Sequence, residues 1–477
     1  MQMHVSCVGM TSSSSPAAQR WDARLWGALF LLCGIVFLDG LDVSMVGVAL
    51  PSIQADLGLT TSQLQWVISA YVLGLGGVLL LGGRASDLLG RRRVLIGALS
   101  VFTLASLMGG LVSDGTLLIA ARFLKGLAAA FTVPAALSLI TTTFTEGPAR
   151  NKAMGIFNAF GASGFSFGLI FGGLLTEVGW RWTFLLPVPV AAVLLFALPR
   201  YISRDRPYLG PKRRYDIPGA LLLTAGMLLL VRTIVEAPTT GWGAPETLAG
   251  FVLAAGLLAA FVTVERRVAQ PLVRLGIFRS AALVRTNLGA MCLFGAYVGF
   301  QFVATLYLQT TLGWSALETA LAFLPGGLLV AFGAPRMGAV ITRYGTAKPV
   351  VASAIAFALG YALFLRVDAT PYVLTFLPTM LLIGAGFALG YSSLSVQAAS
   401  GVSDHEQGLA AGLVQTSFQM GGAIVLAAVS AVVGEGTISD YRTAIAIVVG
   451  VAVTSLLLAL IGVARPRADE AVATSAA

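Results

Sequence analysis

The sequence predicts an all-α integral membrane protein, and three observations lead to that fold class. Hydrophobic residues make up 57% of the 477 residues, and charged residues make up only 11%. A soluble domain carries about 25% charged residues, so this chain has too little charge to cover a surface in water. Lipid removes that need, because side chains that face it can be apolar. The third observation is the spacing of the apolar segments.

A spanning helix needs roughly 20 mostly apolar residues, and fourteen segments of this chain meet that requirement. They lie at residues 25–50, 62–83, 93–113, 116–143, 151–175, 181–199, 217–235, 248–265, 282–310, 317–334, 347–366, 370–398, 406–434 and 441–464. The loops between them are short, and the longest carries Arg200–Tyr215. The sequence therefore predicts fourteen transmembrane helices.

The basic residues indicate how these helices are oriented. If the N-terminus lies inside, 24 of the 30 Lys and Arg residues fall on the inner side and 4 on the outer side, while Arg122 and Lys125 lie within a span. Cytoplasmic segments of membrane proteins are enriched in Lys and Arg. We therefore expect a multi-pass protein of the cell (inner or plasma) membrane with both termini in the cytoplasm.

Composition and motifs argue against other classes of protein. A net charge of +9 would suggest nucleic acid as a partner of a soluble protein, but the arginines here lie between apolar spans, so we expect none. The three cysteines and two histidines are isolated, and we expect neither a metal site nor a disulfide. The sequence has no P-loop motif and no soluble catalytic domain. We therefore expect no enzyme activity, no cofactor and no direct use of ATP.

The segment Gly82–Arg93, after the second span, carries the strongest local pattern. Gly83 allows close approach of a neighbouring helix, Gly90 permits a tight turn, and Asp87 can cap a helix or pair with an arginine. A plain positive-inside turn would explain the charge. The spacing, however, resembles the G-x-x-x-D-x-x-G-R-[KR] loop of the major facilitator superfamily. The resemblance implies a gating loop that latches the two halves during alternating access, formed by Gly83, Asp87, Gly90, Arg91 and Arg92.

A weaker repeat of this pattern, Gly333–Gly345, follows the tenth span. If spans seven and eight are an insertion, the tenth span is the second helix of a second, parallel repeat. The resemblance implies the major facilitator fold, with two six-helix bundles plus two extra central helices. We expect a disordered cytoplasmic tail at 1–22, an N-terminal bundle at 23–200, a cytoplasmic loop with the two extra linker helices at 201–280, a C-terminal bundle at 281–465 and a cytoplasmic tail at 466–477.

The first span contains two carboxylates, Asp39 and Asp42, which lie three residues apart and therefore on one helix face. A charged Asp at mid-bilayer costs on the order of 3 kcal/mol on insertion scales, so its presence points to a function. Desolvation and a nearby like charge both favour the neutral form of a carboxyl group. One of the pair is therefore expected to bind and release a proton. The structural alternative is a pair with Arg122 or Lys125.

Residues Leu41–Pro51 resemble the L-D-x-T-x-V-N-x-A-L-P signature of the 14-span drug:proton antiporter family (EmrB/QacA type). Asp42 matches the acidic position, whereas Ser44 replaces Thr and Gly47 replaces Asn. The resemblance implies that Asp42 is tied to proton coupling. Asp39 matches no position of the signature, and this extra acid suggests a cationic substrate or a proton site with two carboxylates.

The second and fourth spans also carry motifs of these families. Arg122 and Gly126 match the R-x-x-Q-G motif of the superfamily, with Lys125 in place of Gln. The resemblance implies that Arg122 aids proton transfer. A second cation beside it opposes the effect of desolvation on a nearby acid, and the sequence does not decide which effect is larger. In the second span, a W-x-x-x-A-Y-x-L pattern suggests that Tyr71 lines the cavity.

The fifth span is rich in small residues, which let membrane helices pack closely, and packing alone accounts for them. Their spacing also resembles an antiporter motif that ends in G-P-x-x-G-G, with Leu169 in place of Pro. The family associates this motif with export. Its residues here are Gly164, Gly168, Gly172 and Gly173.

Polar side chains recur within the apolar spans of the second half. Scattered amides in membrane helices more often join helices than bind a ligand, and both roles stay open. The candidates for substrate binding are Asp39, Tyr71, Asn287, Gln301, Tyr307 and Gln415. The candidates for proton coupling are Asp42, Asp39 and Arg122.

The predicted function is a proton-coupled exporter, or antiporter, of small amphipathic organic compounds such as drugs, antibiotics or toxic metabolites. The proton gradient would supply the energy. We expect a small organic substrate, protons and the lipid bilayer as partners, and a monomer. The alternatives are a proton-coupled importer, a narrow exporter of one endogenous metabolite, and a non-transporting membrane sensor or scaffold.

Overall fold

A computed structural model of the protein describes residues 21–145, 148–203, 216–268, 271, 273, 275–366, 372–400, 407–433 and 436–464. Regular structure within these residues is helical throughout. A helix satisfies its backbone N–H and C=O groups internally, as a chain in lipid requires. The predicted all-α membrane fold class is confirmed. Residues 1–20 of the predicted N-terminal tail and the whole predicted tail at 466–477 lie outside the described residues.

Seven helices of the described chain form what we call the first half. They are α1 (Ala23–Leu57), α2 (Thr61–Leu89), α3 (Arg91–Leu111), α4 (Gly115–Thr143), α5 (Pro148–Val178), α6 (Trp182–Leu185) and α7 (Pro187–Tyr201). The last two belong to one apolar span, Trp182–Tyr201. The break falls at Pro187, which has no backbone N–H to donate to the preceding turn.

Two linking helices follow, α8 (Ile217–Thr240) and α9 (Pro245–Glu265). The second half consists of α10 (Ala281–Leu306), α11 (Ala316–Gly333), α12 (Met337–Tyr344), α13 (Ala347–Phe364), α14 (Phe376–Ser400), α15 (Gln407–Val433) and α16 (Ile438–Ala464). A π-helical turn, Tyr307–Thr311, extends α10. A 3-10 turn, Ala334–Arg336, joins α11 to α12 within one span.

Thirteen helical segments of the described residues are long and apolar enough to cross a membrane, and α8 supplies a shorter apolar stretch at Pro218–Ile234. Each of the fourteen predicted spans is therefore mainly helical in the residues that the structure describes. Several of the predicted ends are wrong, and two of the larger differences lie in the first half. The first helix continues through Pro51 to Leu57, and α2 continues to Leu89 instead of ending at residue 83. The predicted ends followed hydropathy, and a helix can continue beyond the apolar core of the membrane.

The helices pack mainly within their own halves. In the first half α1 packs on α5 and α2 on α4, and in the second half α10 packs on α15 and α13 on α14. The halves meet where α5 contacts α11 and where α2 contacts α15. The linking helix α8 lies against both α2 and α15. The charged side chains described next lie where α1, α2 and α4 come together.

Candidate functional site

The carboxylate of Asp42 on α1 lies between two cations of α4. Arg122 Nη1 is 2.7 Å from Asp42 Oδ2, and Lys125 Nζ contacts Oδ1. Asp42 and Lys125 are fully buried, and Arg122 is 2% exposed. Arg122 and Lys125 are three residues apart, so they project from one face of α4 and reach the same carboxylate. Each oxygen of Asp42 therefore has its own cation, which is a charge-assisted arrangement. We call Asp42, Arg122 and Lys125 the charge triad.

Arg122 also ties α2 to this triad. Its Nε donates a hydrogen bond to the carbonyl oxygen of Val67 at 2.9 Å. Its guanidinium lies 4.5 Å from the centroid of the Tyr71 ring. A guanidinium can bind a carboxylate, a carbonyl and a ring at once, because its donors lie in one plane and its faces remain free. Tyr71 therefore belongs to the surroundings of the triad.

Aromatic rings flank Lys125. Its Nζ lies 4.8 Å from the ring centroid of Phe102 on α3 and 5.1 Å from that of Phe184 on α6. Rings attract cations through their faces, and together with Asp42 they offset the hydration that a buried ammonium group loses. The sequence pattern did not reveal these ring contacts, because Phe102 and Phe184 come from distant parts of the chain.

Asp39 lies one turn before Asp42 and has a different environment. The residue is 9% exposed, and it makes no ion pair with the described residues. The hydroxyl of Thr132 on α4 lies 3.1 Å from Asp39 Oδ2. The same hydroxyl lies 3.2 Å from the carbonyl oxygen of Ala129. Sequence reasoning placed Asp39 on the face of Asp42, but it missed Thr132.

The glycines of α5 bring that helix close to α1. A Cβ atom at Gly172 would lie 2.7 Å from the Cα of Met45, and one at Gly164 would lie 3.0 Å from the Cα of Phe37. These distances are shorter than the normal contact of two carbon atoms. The predicted role of these glycines in close helix packing is confirmed.

The other two glycines of the predicted antiporter motif face different neighbours. A Cβ at Gly168 would overlap the hydroxyl oxygen of Ser44 on α1. A Cβ at Gly173 would lie 2.8 Å from the Cα of Leu317 on α11. The motif therefore reaches from the interior of the first half to the contact between the halves.

Two predicted substrate-binding amides join helices of the second half. Asn287 on α10 accepts a hydrogen bond of 2.8 Å from the hydroxyl of Ser417 on α15. Gln415 on α15 lies 3.0 Å from the hydroxyl of Tyr391 on α14. These bonds are consistent with a role in joining helices, which is one of the two roles that the sequence left open for both residues.

Gln301 and Tyr307 lie further along α10. The Nε2 atom of Gln301 would be 3.0 Å from a Cβ atom at Gly47, so this amide faces α1 across the contact between the halves. Tyr307 is buried, with ring centroids 6.1 Å from Phe364 and 5.5 Å from Tyr441. The contacts of the described residues therefore do not unite the six predicted substrate-binding residues in one group.

The second half contains an aromatic group that the sequence analysis missed. Its members are Phe294 and Tyr297 on α10, Phe387 and Tyr391 on α14, and Phe418 on α15. Centroid distances are 4.8 Å between Tyr297 and Phe387, and 4.6 Å between Tyr391 and Phe418. Phe165 on α5 lies 5.9 Å from Tyr297, so the group borders the first half. Helical spacing was the available signal, since three or four residues separate the members on α10 and on α14.

Hydrogen bonds also join the halves at the end of the bundle where α1 ends and α2 begins. Gln309 Nε2 donates to the carbonyl oxygen of Val48 at 3.0 Å. The hydroxyl of Ser430 contacts Oε1 of Gln65. These bonds hold the two halves together at that end of the bundle.

The predicted gating loop is shorter than expected. Gly90, with a φ of 98°, alone separates α2 from α3, and the tight turn predicted there is confirmed. Gly83 lies within α2, so the interpretation of the whole segment as a loop is wrong. Arg91 and Arg92 begin α3, and both interact with other groups. The side chain of Asp87 lies outside those that the structure describes.

Comparisons with known sequences give consistent results. The family model described as Major Facilitator Superfamily matches residues 32–426. The chain is 38% identical to the puromycin resistance protein of Streptomyces alboniger, over 96% of this chain and 95% of that protein. It is 37% identical to the cephamycin export protein of Amycolatopsis lactamdurans, over 96% and 94% of the two chains. A tetracenomycin C resistance and export protein of Streptomyces glaucescens is 32% identical, over 84% of this chain and 74% of that protein.

Solved structures share the fold at low sequence identity. The POT family transporter PepTSo superposes with a TM-score of 0.68 at 16% identity, over 93% of this chain and 97% of that one. The nucleoside transporter NupG superposes with a TM-score of 0.67 at 15% identity, over 92% of this chain and 99% of that one. Both are similar in fold alone.

Proposed function

Because the chain belongs to the major facilitator superfamily, we propose that it is a proton-coupled exporter of small amphipathic organic compounds, including antibiotics. It is a transporter and not an enzyme, and it belongs among the drug and antibiotic export proteins of that superfamily. The names of the relatives supply the substrate class. Coupling to protons needs an argument from the residues of this chain.

The group formed by Asp39, Asp42, Arg122 and Lys125 carries the proposal. Charged side chains within a membrane span are costly, and they mark sites of ion or substrate movement. Packing alone gives no reason to place four of them between α1, α2 and α4. A carboxylate in such a group can exchange its charge for a proton, and that exchange couples the substrate to a proton gradient.

The aromatic group supplies the other part of the proposed substrate site. Planar apolar molecules stack on aromatic rings, and a positive substrate group is attracted by a carboxylate. Tyr297 meets Phe165 at the contact between the halves. We propose that the apolar body of the substrate binds the aromatic group while its polar end points toward Asp39 of the first half.

The proposed transport cycle alternates access between the two sides. A proton from outside neutralises a carboxylate of the first half, and the substrate leaves on that side. Release of the proton to the inside restores the negative charge, which then attracts a new substrate. We propose that both termini lie in the cytoplasm, which the distribution of Lys and Arg supports, and that the protein works as a monomer.

A second candidate is a narrow exporter of one compound. It is favoured by relatives that are named for a single antibiotic, puromycin or cephamycin. The two candidates share the mechanism and differ only in the range of substrates. A panel of substrates therefore distinguishes them.

The test uses inside-out vesicles that hold the purified protein and have an acidic lumen. Uptake of ethidium, a planar lipophilic cation, and of puromycin is measured with the gradient and after its collapse by an ionophore. Uptake that requires the gradient supports proton-coupled export. Uptake of puromycin alone supports the narrow exporter. If neither compound moves with the gradient, while the protein remains folded by size-exclusion chromatography, coupled export of both is ruled out.

A further inference from the structure

We propose that Asp39, rather than Asp42, is the carboxylate that exchanges a proton for substrate, and that Lys125 keeps Asp42 as a fixed ionised part of the scaffold. This inference rests on the proposed function, and it assigns two different roles to acids that lie one turn apart. Lys125 acts through Asp42 and is therefore a positioning residue.

The charges around Asp42 make it a poor proton carrier. Each of its oxygens contacts a different cation, Arg122 or Lys125. A proton on Asp42 would remove the negative charge that both cations share and leave two like charges together in a buried site. Breaking a buried ion pair in this way is strongly unfavourable. These two contacts make Asp42 the acid less suited to exchange a proton.

The exposure of the two acids also favours Asp39 as the residue that exchanges the proton. Asp42 and Lys125 have no exposed surface, whereas Asp39 is 9% exposed. Asp39 follows Phe37 by two residues, which is roughly 200° around a helix of 3.6 residues per turn. Phe37 contacts Phe160 and Phe167 of α5. Asp39 therefore points away from that aromatic edge and toward α4, where Thr132 lies.

Thr132 is suited to both protonation states of Asp39. A hydroxyl group can donate one hydrogen bond and can also accept. When Asp39 is ionised, the hydroxyl donates to Oδ2, 3.1 Å away. When Asp39 is protonated, the hydroxyl can turn to the carbonyl of Ala129, 3.2 Å away, and accept from the acid. A proton can therefore arrive and leave without leaving a buried polar atom unpaired.

The groups that face Asp39 set the charge that a substrate meets. They are Asp42 on its own helix, Lys125 and Thr132 on α4, and Tyr71 on α2, whose ring lies beside Arg122. Against this part of α1, α5 packs through Gly161, Gly164 and Phe165, which carry no titratable group. With both acids ionised, their two negative charges balance Arg122 and Lys125. A proton on Asp39 leaves one positive charge in excess, which repels a cation, so a cationic substrate and a proton compete for Asp39.

The test compares Asp39→Asn with the double variant Asp42→Asn/Lys125→Gln, which removes one charge of each sign from the triad. Asp114→Asn is the matched control, because Asp114 only caps the start of α4 and Asn is an equally good cap. Ethidium uptake into inside-out vesicles is measured with and without an acidic lumen, over a range of external pH. In parallel, exchange of external for internal ethidium is measured without a gradient.

We expect Asp39→Asn to lose all gradient-driven accumulation and to show a flat pH profile, while exchange without a gradient continues. The double variant should keep a gradient-driven component, at a reduced rate. Asp114→Asn should behave as the wild type. The inference is overturned if Asp39→Asn still accumulates ethidium with the pH profile of the wild type, or if only the double variant loses coupling. If the wild type itself shows no gradient-driven uptake of ethidium or puromycin, that result contradicts the proposed function of proton-coupled export. It is distinct from the two results that contradict only the assignment to Asp39.

A second measurement keeps the proposal testable if the double variant does not fold. Ethidium is added to the wild type in detergent, in a weakly buffered solution with a pH indicator, and proton release is recorded. We expect release from the wild type and from Asp114→Asn, and none from Asp39→Asn at ethidium concentrations that saturate it. Proton release that persists in Asp39→Asn would overturn the assignment.

Discussion

The ammonium group of Lys125 contacts the carboxylate of Asp42, and neither side chain has any exposed surface. A buried ion pair loses the hydration of both ions, and removal of one partner leaves the other without compensation. Single substitutions in this pair should therefore be more harmful than a paired substitution that removes both charges.

Asp42→Asn is expected to destabilise the protein more than Lys125→Gln. The first change leaves two buried cations without a carboxylate, whereas after the second Asp42 still has Arg122. Loss of one partner of a buried pair costs about 3–5 kcal/mol. Melting temperatures of the purified protein in detergent should show the larger fall for Asp42→Asn and partial recovery in the double variant. Equal falls without recovery would contradict the pairing.

Gly172→Ala is expected to lower stability because α5 cannot stay at its present distance from α1. The added Cβ would lie 2.7 Å from the Cα of Met45, and overpacking of this kind costs about 1–3 kcal/mol. Gly155→Ala is the control on the same helix, since no atom lies within 4 Å of its added Cβ. A fall in melting temperature for Gly172→Ala only is the expected result. Similar melting temperatures for both variants would refute the close contact.

Gly90→Ala is expected to strain the single-residue turn between α2 and α3. Gly90 has a φ of 98°. A positive φ of this kind costs a residue with a Cβ atom about 1–3 kcal/mol. Gly97→Ala, within α3, meets no atom within 4 Å and is the matched control. The Gly90 variant should melt at a lower temperature and transport more slowly than the control. Wild-type behaviour of both would show that this turn tolerates a side chain.

Tyr391→Leu is expected to weaken ethidium binding because it removes one ring of the aromatic group, next to Phe418 at 4.6 Å, on which we propose that the substrate stacks. An aromatic pair is worth about 0.5–1.5 kcal/mol, which corresponds to a roughly 2- to 10-fold loss of affinity. Tyr391→Phe keeps the ring and should lose less. Phe196→Leu is the control, since Phe196 is 90% exposed on α7. Fluorescence titration of ethidium measures each affinity, and equal affinities for Tyr391→Leu and Phe196→Leu would exclude the aromatic group as the binding site.

The sequence was sufficient to predict the membrane spans, because a helix that crosses lipid must be apolar over a fixed length. It was less informative about where helices end. The helix α2 continues to Leu89 because residues beyond the apolar core can still be helical, and Gly90 alone makes the turn. Pro51 likewise looked like an end of α1 but lies inside it.

The site was predictable only in part. The pairing of Asp42 with Arg122 or Lys125 was one of two alternatives, because helical spacing shows which residues share a face but not which helices meet. The hydrogen bond between Thr132 and Asp39, and the aromatic group, join positions that lie far apart along the chain. Such contacts depend on the packing of several helices, which the glycines of α5 control by their distance from α1.

The position of α8 has a mechanical consequence. The hydroxyl of Thr224 on α8 donates to the carbonyl oxygen of Gly77 on α2 at 2.9 Å, whereas Val231 on α8 belongs to the same apolar cluster as Met420 on α15. A hydrogen bond has a preferred direction, but an apolar surface that includes a flexible thioether adapts to displacement. We therefore expect α8 to move with the first half when the halves rock, and to slide along α15 while it continues to cover the contact between them.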